Sequence, residues 1–163
     1  MSKITPCLWF NGQAEEAANF YVSLLPHSRV DKVMRSPADN PSTPAGTALT
    51  VEFTLAWQKF VGLNGGPQFP FTEAVSFTID CEDQAEVDRL WEALTRGGGS
   101  PGQCGWLKDR FGLSWQIIPR ALPKLLSDAN REAAGRVMQA MLGMGKIDIA
   151  GLKRAYDGKP TTA

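Results

Sequence analysis

Two amphipathic stripes set a fixed distance apart constrain this chain more than any other feature. Ala17, Phe20, Tyr21 and Leu24 follow the i, i+3, i+4, i+7 spacing that places side chains on one helix face. Val87, Leu90, Trp91 and Leu94 repeat the same spacing, each seventy positions after its counterpart. Glu16 and Glu86 keep the same offset on the polar side. A stripe of this kind recurs by chance, but two at one offset indicate an internal repeat, and the flanking segments test it.

The flanks agree. Short strands are expected before each helix, over residues 4–10 and 75–80. After the first helix (residues 14–25), strands are expected over 29–35, 47–55 and 59–64. After the second (residues 84–96), they are expected near Ser100 and over 103–107 and 113–118. Asp83 followed by Glu86 forms a capping box, and Gly97-Gly98-Gly99 ends the helix it opens. Pro37, Pro41 and Pro44 place a loop between two strands of the first half, and Asp109-Arg110-Phe111-Gly112 reads as a hairpin turn. Each half is therefore β-α-β-β-β, and the fold class is α+β. Residues 1–66 form the first module, 67–120 the second, and 121–163 a helical C-terminal extension within one structural unit. Short helices are expected there over 122–126, 131–142 and 149–156, the middle one with an apolar stripe of Ala134, Val137, Met138 and Met141.

Bulk chemistry narrows the function classes. At 163 residues the chain can bury a core without disulfides or metals. Its 17 basic and 17 acidic residues balance, which argues against nucleic acid and an anionic membrane surface as partners. The start, MSKITPCLWF, has no signal-peptide core, and no apolar run reaches the length of a membrane span. Three unpaired cysteines (Cys7, Cys81, Cys104) suit a reducing compartment, so a cytoplasmic protein is expected.

LWFNGQAEEAANFY at residues 8–21 and GWLKDRFGLSWQIIP at 105–119, carried on paired βαβββ modules, resemble the PhnB-like branch of the vicinal oxygen chelate superfamily. That branch is often labelled 3-demethylubiquinone 3-methyltransferase-like, and the superfamily includes glyoxalase I, bleomycin- and fosfomycin-resistance proteins and extradiol dioxygenases. The resemblance spans about residues 3–120. It implies that each sheet curls into a half-cup, that the protein is a homodimer, and that the cups hold a small molecule. In the metal-dependent relatives it also implies divalent-metal ligands from the first and last strand of each module.

Those strands offer little to a metal here. Gln116 stands where the resemblance places a glutamate, and the matching first-module strand supplies Gly62 and Asn64. The single histidine, His27, follows Pro26 in a turn, and no H-x-x-x-H or H-E-x-x-H pattern occurs. No metal ligands are assigned and no cofactor is expected; a weakly held divalent metal, sharing oxygens from Glu52 or Glu73, is the alternative. A methyltransferase would call for a glycine-rich loop between a strand and a helix, whereas Gly97-Gly98-Gly99 follows a helix.

Alternation assigns faces. In residues 49–55 the odd positions are apolar, so Thr50, Glu52 and Thr54 turn to the cup or to solvent. Ser114, Gln116 and Ile118 share one face of the last strand. The candidate ligand-binding residues are Trp9, Glu52, Asn64, Trp106 and Gln116, with Cys104 and Lys108 secondary. Glu52 is also the candidate catalytic group, because desolvation in a cup would raise its pKa and suit it to general-base chemistry. Three functions follow: a metal-independent small-molecule binder, favoured; an enzyme of the superfamily working through Glu52; and a dimeric scaffold whose cups are filled by its own side chains.

Overall fold

The computed structural model describes residues 3–159. Residues 1–2 and 160–163, the ends of the first module and of the helical extension, lie outside the described residues. The elements run β1 (Cys7–Phe10), α1 (Ala14–Val22), β2 (Arg29–Arg35), β3 (Ala48–Leu55), β4 (Gln58–Asn64), β5 (Ser76–Cys81), α2 (Gln84–Thr95), β6 (Ser100–Pro101), β7 (Trp106–Lys108), β8 (Ser114–Pro119), α3 (Ala121–Leu126), α4 (Arg131–Leu142) and α5 (Ile149–Tyr156). They form two four-stranded mixed sheets, ordered β1-β4-β3-β2 and β5-β8-β7-β6. The fold is α+β with one βαβββ module per sheet, as the repeat requires. The chain divides into two compact units between Phe71 and Thr72, and the helical extension belongs to the second.

In the first unit, α1 covers one face of its sheet. Ala14, Ala17, Ala18 and Tyr21 are buried on the helix, against Leu8, Phe10, Val51, Phe53 and Phe60 of the strands. Small alanines let the helix approach closely. A Cβ added to Gly62 of β4 would lie 3.1 Å from the Cβ of Ala14. The helix ends at Val22, short of the expected residue 25, because the Ser23 hydroxyl bonds to the Phe20 carbonyl and caps the last turn. The β3–β4 hairpin turns on Ala56 and Trp57, both at positive φ (43° and 71°), in the manner of a primed two-residue turn.

In the second unit, α2 buries Val87, Leu90 and Leu94 against Leu107, Trp115 and Ile117. Each such side chain contributes roughly 1.5–3 kcal/mol through burial. Asp83 caps the helix by accepting from the Glu86 amide at 2.9 Å. Residues 103–105, expected as strand, form a turn instead. Cys104 and Gly105 both have positive φ (58° and 84°), and their amides donate to the Met144 and Gly145 carbonyls. These bonds tie the extension to the sheet. Leu122, Val137, Ile147 and Leu152 form its own small core, against which Ile118 of β8 packs.

The seventy-residue offset holds for the helices but not for the strands. Both N-caps obey it, Gln13 and Asp83. Yet Leu8 faces its helix, while Thr78, seventy positions on, is exposed. Asn11-Gly12-Gln13 joins β1 to α1, whereas only Glu82-Asp83 joins β5 to α2. A one-residue difference reverses every side chain on a strand, so β1 and β5 align at an offset of seventy-one.

Candidate functional site

Each sheet has one face under its helix and one turned away. The pairing registers fix what the second face carries. In the first unit, β1–β4–β3–β2 pairing sets Cys7, Val61, Glu52 and Lys32 in one row, and Trp9, Leu63, Thr50 and Met34 in the next. Beyond them, Asp31 accepts from the Thr54 hydroxyl (2.6 Å) and Lys59 (2.9 Å) and pairs with Arg29 (2.8 Å). Desolvation pushes the Asp31 carboxyl up, but the Lys59 and Thr54 hydrogen bonds and the neighbouring cations outweigh it and hold the group below its ordinary value.

This row structure locates the first-unit candidates. Glu52 lies on the open face as expected, but its side chain is exposed, so the burial that general-base chemistry requires is not present. Trp9 also lies on this face, and its indole is engaged. Nε1 donates to the Gly66 carbonyl at 2.8 Å and the ring meets Phe69 edge-on at 5.0 Å.

Asn64 lies off this open face, where it lines a separate cavity of about 430 Å³ with Gly12, Glu15 and Thr43 among others. It alternates with Gly62 and Phe60 toward α1, only 4% exposed. Its carbonyl oxygen accepts the first helical amide, Ala14 N–H, at 2.9 Å, and its amide donates to the Ala48 carbonyl at 2.9 Å. Asn64 is a buried clip between helix and sheet, because the strand period puts even-numbered residues of β4 beneath the helix.

In the second unit the registers set Thr78, Gln116 and Trp106 in one row and Ser76, Ser114, Lys108 and Ser100 in the next. Gln116 and Trp106 thus sit directly opposite one another. Gln116 Nε2 donates to the Ser76 hydroxyl at 2.9 Å. A cavity of about 240 Å³ opens over this face, lined by Glu73, Ser100, Gly102, Trp106, Lys108 and Ser114 among others. Lys108 Nζ pairs with Glu73 Oε1 at 2.6 Å, which holds the Glu73 carboxyl below its ordinary value.

Ser114 is the residue that sequence reasoning missed. It is 1% exposed, and its hydroxyl has no hydrogen-bond partner. Among the described residues only one other buried side-chain polar atom shares that condition, Arg154 Nε, whose guanidinium still pairs with Asp148 through Nη2. A buried hydroxyl without a partner costs about 1–3 kcal/mol, which makes Ser114 a candidate residue of this site. The alternation that puts Ser114 on the face of Gln116 is the available signal. Its lack of a partner is a three-dimensional fact.

The donors fit a divalent metal poorly. On the open faces the first and last strands present Cys7 and Val61 in one unit, and Thr78 and Gln116 in the other. Among the described residues no three His, Cys, Asp or Glu side chains are grouped as metal ligands. Of the thiols, Cys81 is buried, which, with the Glu86 and Asp80 charges, pushes it up to about 12. No described helix is long and apolar enough to cross a membrane.

Paired βαβββ modules, each a four-stranded mixed sheet under one helix, define a glyoxalase-like fold. Residues 2–118 match the family model described as 3-demethylubiquinone-9 3-methyltransferase, and the chain belongs to that PhnB-like family. It is similar to the PhnB protein of Bacillus cereus, which carries the same methyltransferase description (33% identity, TM-score 0.66, 72% of this chain and 99% of that one). The protein PA1353 of Pseudomonas aeruginosa shares the fold at 22% identity (TM-score 0.60, 73% and 98%). A glyoxalase/bleomycin resistance protein from Albidiferax ferrireducens aligns at 15% identity (TM-score 0.47, 73% and 99%). No curated protein matches the chain.

Proposed function

We propose that this protein binds a small organic molecule without a glyoxalase-like metal centre, and that the ligand sits against the open face of the second sheet. The observation that carries this reading is Ser114, which lines the cavity and whose buried hydroxyl has no hydrogen-bond partner. Trp106 supplies an apolar wall, and Lys108, Glu73 and Gln116 supply polar groups close by. Pockets for small ligands combine such a wall with few, well-placed polar groups. The same reading takes the protein as a homodimer, on the strength of the family resemblance, and as cytoplasmic, on the strength of its three free cysteines.

The family's label names a methyl transfer, yet both sheets are mixed and four-stranded. S-adenosylmethionine chemistry of the usual kind rests on a doubly wound parallel sheet and its first glycine-rich turn. Gly97-Gly98-Gly99 instead joins α2 to β6. A superfamily enzyme working through Glu52 draws no support from that residue's exposed position.

A thermal-shift screen of small metabolites, with and without Mg²⁺, Mn²⁺, Ni²⁺ and Zn²⁺, tests the reading. A ligand at a hundredfold excess over its dissociation constant stabilises by about 2.7 kcal/mol, a rise of roughly 5–10 °C at this chain length. Metal-independent hits that Ser114→Ala weakens are expected. Hits that require metal and vanish in Glu52→Gln would reverse the reading.

A further inference from the structure

The second sheet's cavity also indicates what kind of molecule it takes, on the premise that it is the ligand site. Lys108 and Ser114 are direct cross-strand partners in the β7–β8 ladder, which sets their Cβ atoms about 5 Å apart on one face. They offer an ammonium and a buried hydroxyl whose bonding is incomplete. No hydrogen bond joins them, so they do not form a nucleophile–base pair. Two adjacent donors, one of them charged, match the two oxygens of a carboxylate.

The chain already places a carboxylate on one of the two. Glu73 reaches Lys108 from the segment just before β5, at 2.6 Å. Its side chain is 63% exposed and that of Lys108 38% exposed, and ion pairs open to water are held weakly and exchange readily. Glu73 satisfies Lys108 while the Ser114 hydroxyl stays unpartnered. An incoming carboxylate can serve both once Glu73 leaves and the Ser114 side chain turns to meet it, since the hydroxyl is buried while Glu73 is in place. Trp106 lines the same cavity and offers an aromatic surface to the body of such a ligand. At about 240 Å³ the cavity is smaller than those that hold drug-sized molecules, which limits that body to about one ring.

We propose that the cavity takes a small aromatic or similarly flat carboxylate, and that Glu73 is its intramolecular stand-in, displaced from Lys108 when the ligand binds. Glu73 then acts as a built-in competitor. An exposed pair of this kind is weak, yet it occupies the seat often enough to weaken apparent affinity about two- to sixfold.

Benzoate, its neutral counterpart benzamide and inorganic phosphate test this, followed by amide shifts of the 100–108 segment and the Trp106 indole signal. Benzoate is expected to perturb these resonances and benzamide not to. Glu73→Gln should tighten benzoate about two- to sixfold, by removing the competitor. Lys108→Met should abolish binding and Lys108→Arg retain it; Glu73 is exposed, so its variant also serves as a folded control. Benzamide binding as well as benzoate, phosphate binding in preference to both, or a Glu73→Gln variant that binds benzoate no better would each overturn the carboxylate inference. Silence of benzoate in wild type and Glu73→Gln alike overturns it too, while the metabolite screen above decides separately whether the cavity binds any small molecule.

Discussion

On the first sheet, part of the polar surface turned away from the helix is consumed internally: Asp31 gathers Thr54, Lys59 and Arg29, and the Trp9 indole closes over Gly65 and Gly66, while Glu52 stands exposed. On the second sheet the corresponding face keeps a hydroxyl without a partner beside an exposed, exchangeable ion pair. The two modules share strand order and helix position, though the buried positions of the two stripes coincide only at Ala17/Val87 and Leu24/Leu94. What separates them is that, among the described residues, the second alone leaves a buried hydroxyl of its open face without a partner. A duplicated scaffold can thus satisfy its buried polar groups on one copy and leave one unpaired on the other. The fold alone does not say which.

Each module also has its own buried polar clip, and these produce the largest expected effects. In the second, the Asp109 carboxylate is 2% exposed and accepts from the Phe111 and Leu113 amides and from the Trp115 indole at 2.8 Å. Asp109→Ala strands three donors, and at roughly 1–3 kcal/mol for each unsatisfied group, partly relieved by water, a loss of about 3–5 kcal/mol is expected in denaturant melts. In the first, Asn64→Ala removes the clip between α1 and β3 and should cost less, about 2 kcal/mol. Amide exchange should localise each effect to its own unit. An Asn64 variant costing more than the Asp109 variant would break the comparison.

The Asp31 cluster provides a smaller, pH-dependent effect. Its folded-state pKa lies below its ordinary value, so the cluster stabilises the protein above the unfolded pKa of about 4 and loses that contribution as pH falls through the folded value. Asp31→Asn should therefore be less stable than wild type at pH 6, and the gap should close from about pH 4 downward. A gap that persists or widens in acid would contradict a lowered Asp31 pKa.

Much of the fold is legible in the sequence because hydrophobic periodicity and turn chemistry are local. The α4 and α5 bounds, the β2 strand, the Asp83 cap and the glycine-terminated turn at Asp109 all follow from neighbouring residues. The failures involve distant partners. The 103–105 segment is held out of the sheet by backbone bonds to Met144 and Gly145, some forty residues on. Matching the strand by motif puts Asn64 in the cup; pairing with β1 shows that Val61, not Asn64, aligns with the level of Cys7. Alternation gives the correct face for Glu52, but exposure is set by what covers that face. Ser114 is on the expected face too, yet only coordinates reveal that its hydroxyl lacks a partner.

The central claim is that the second sheet's open face, and not the first's, receives the ligand. Amide shift mapping with the strongest metabolite hit, in wild type and Ser114→Ala, tests it most directly. Perturbations confined to residues 100–108 and 114–116, attenuated in the variant, are the predicted result. Perturbations centred on Thr50, Glu52 and Val61, unaffected by Ser114→Ala, would contradict it.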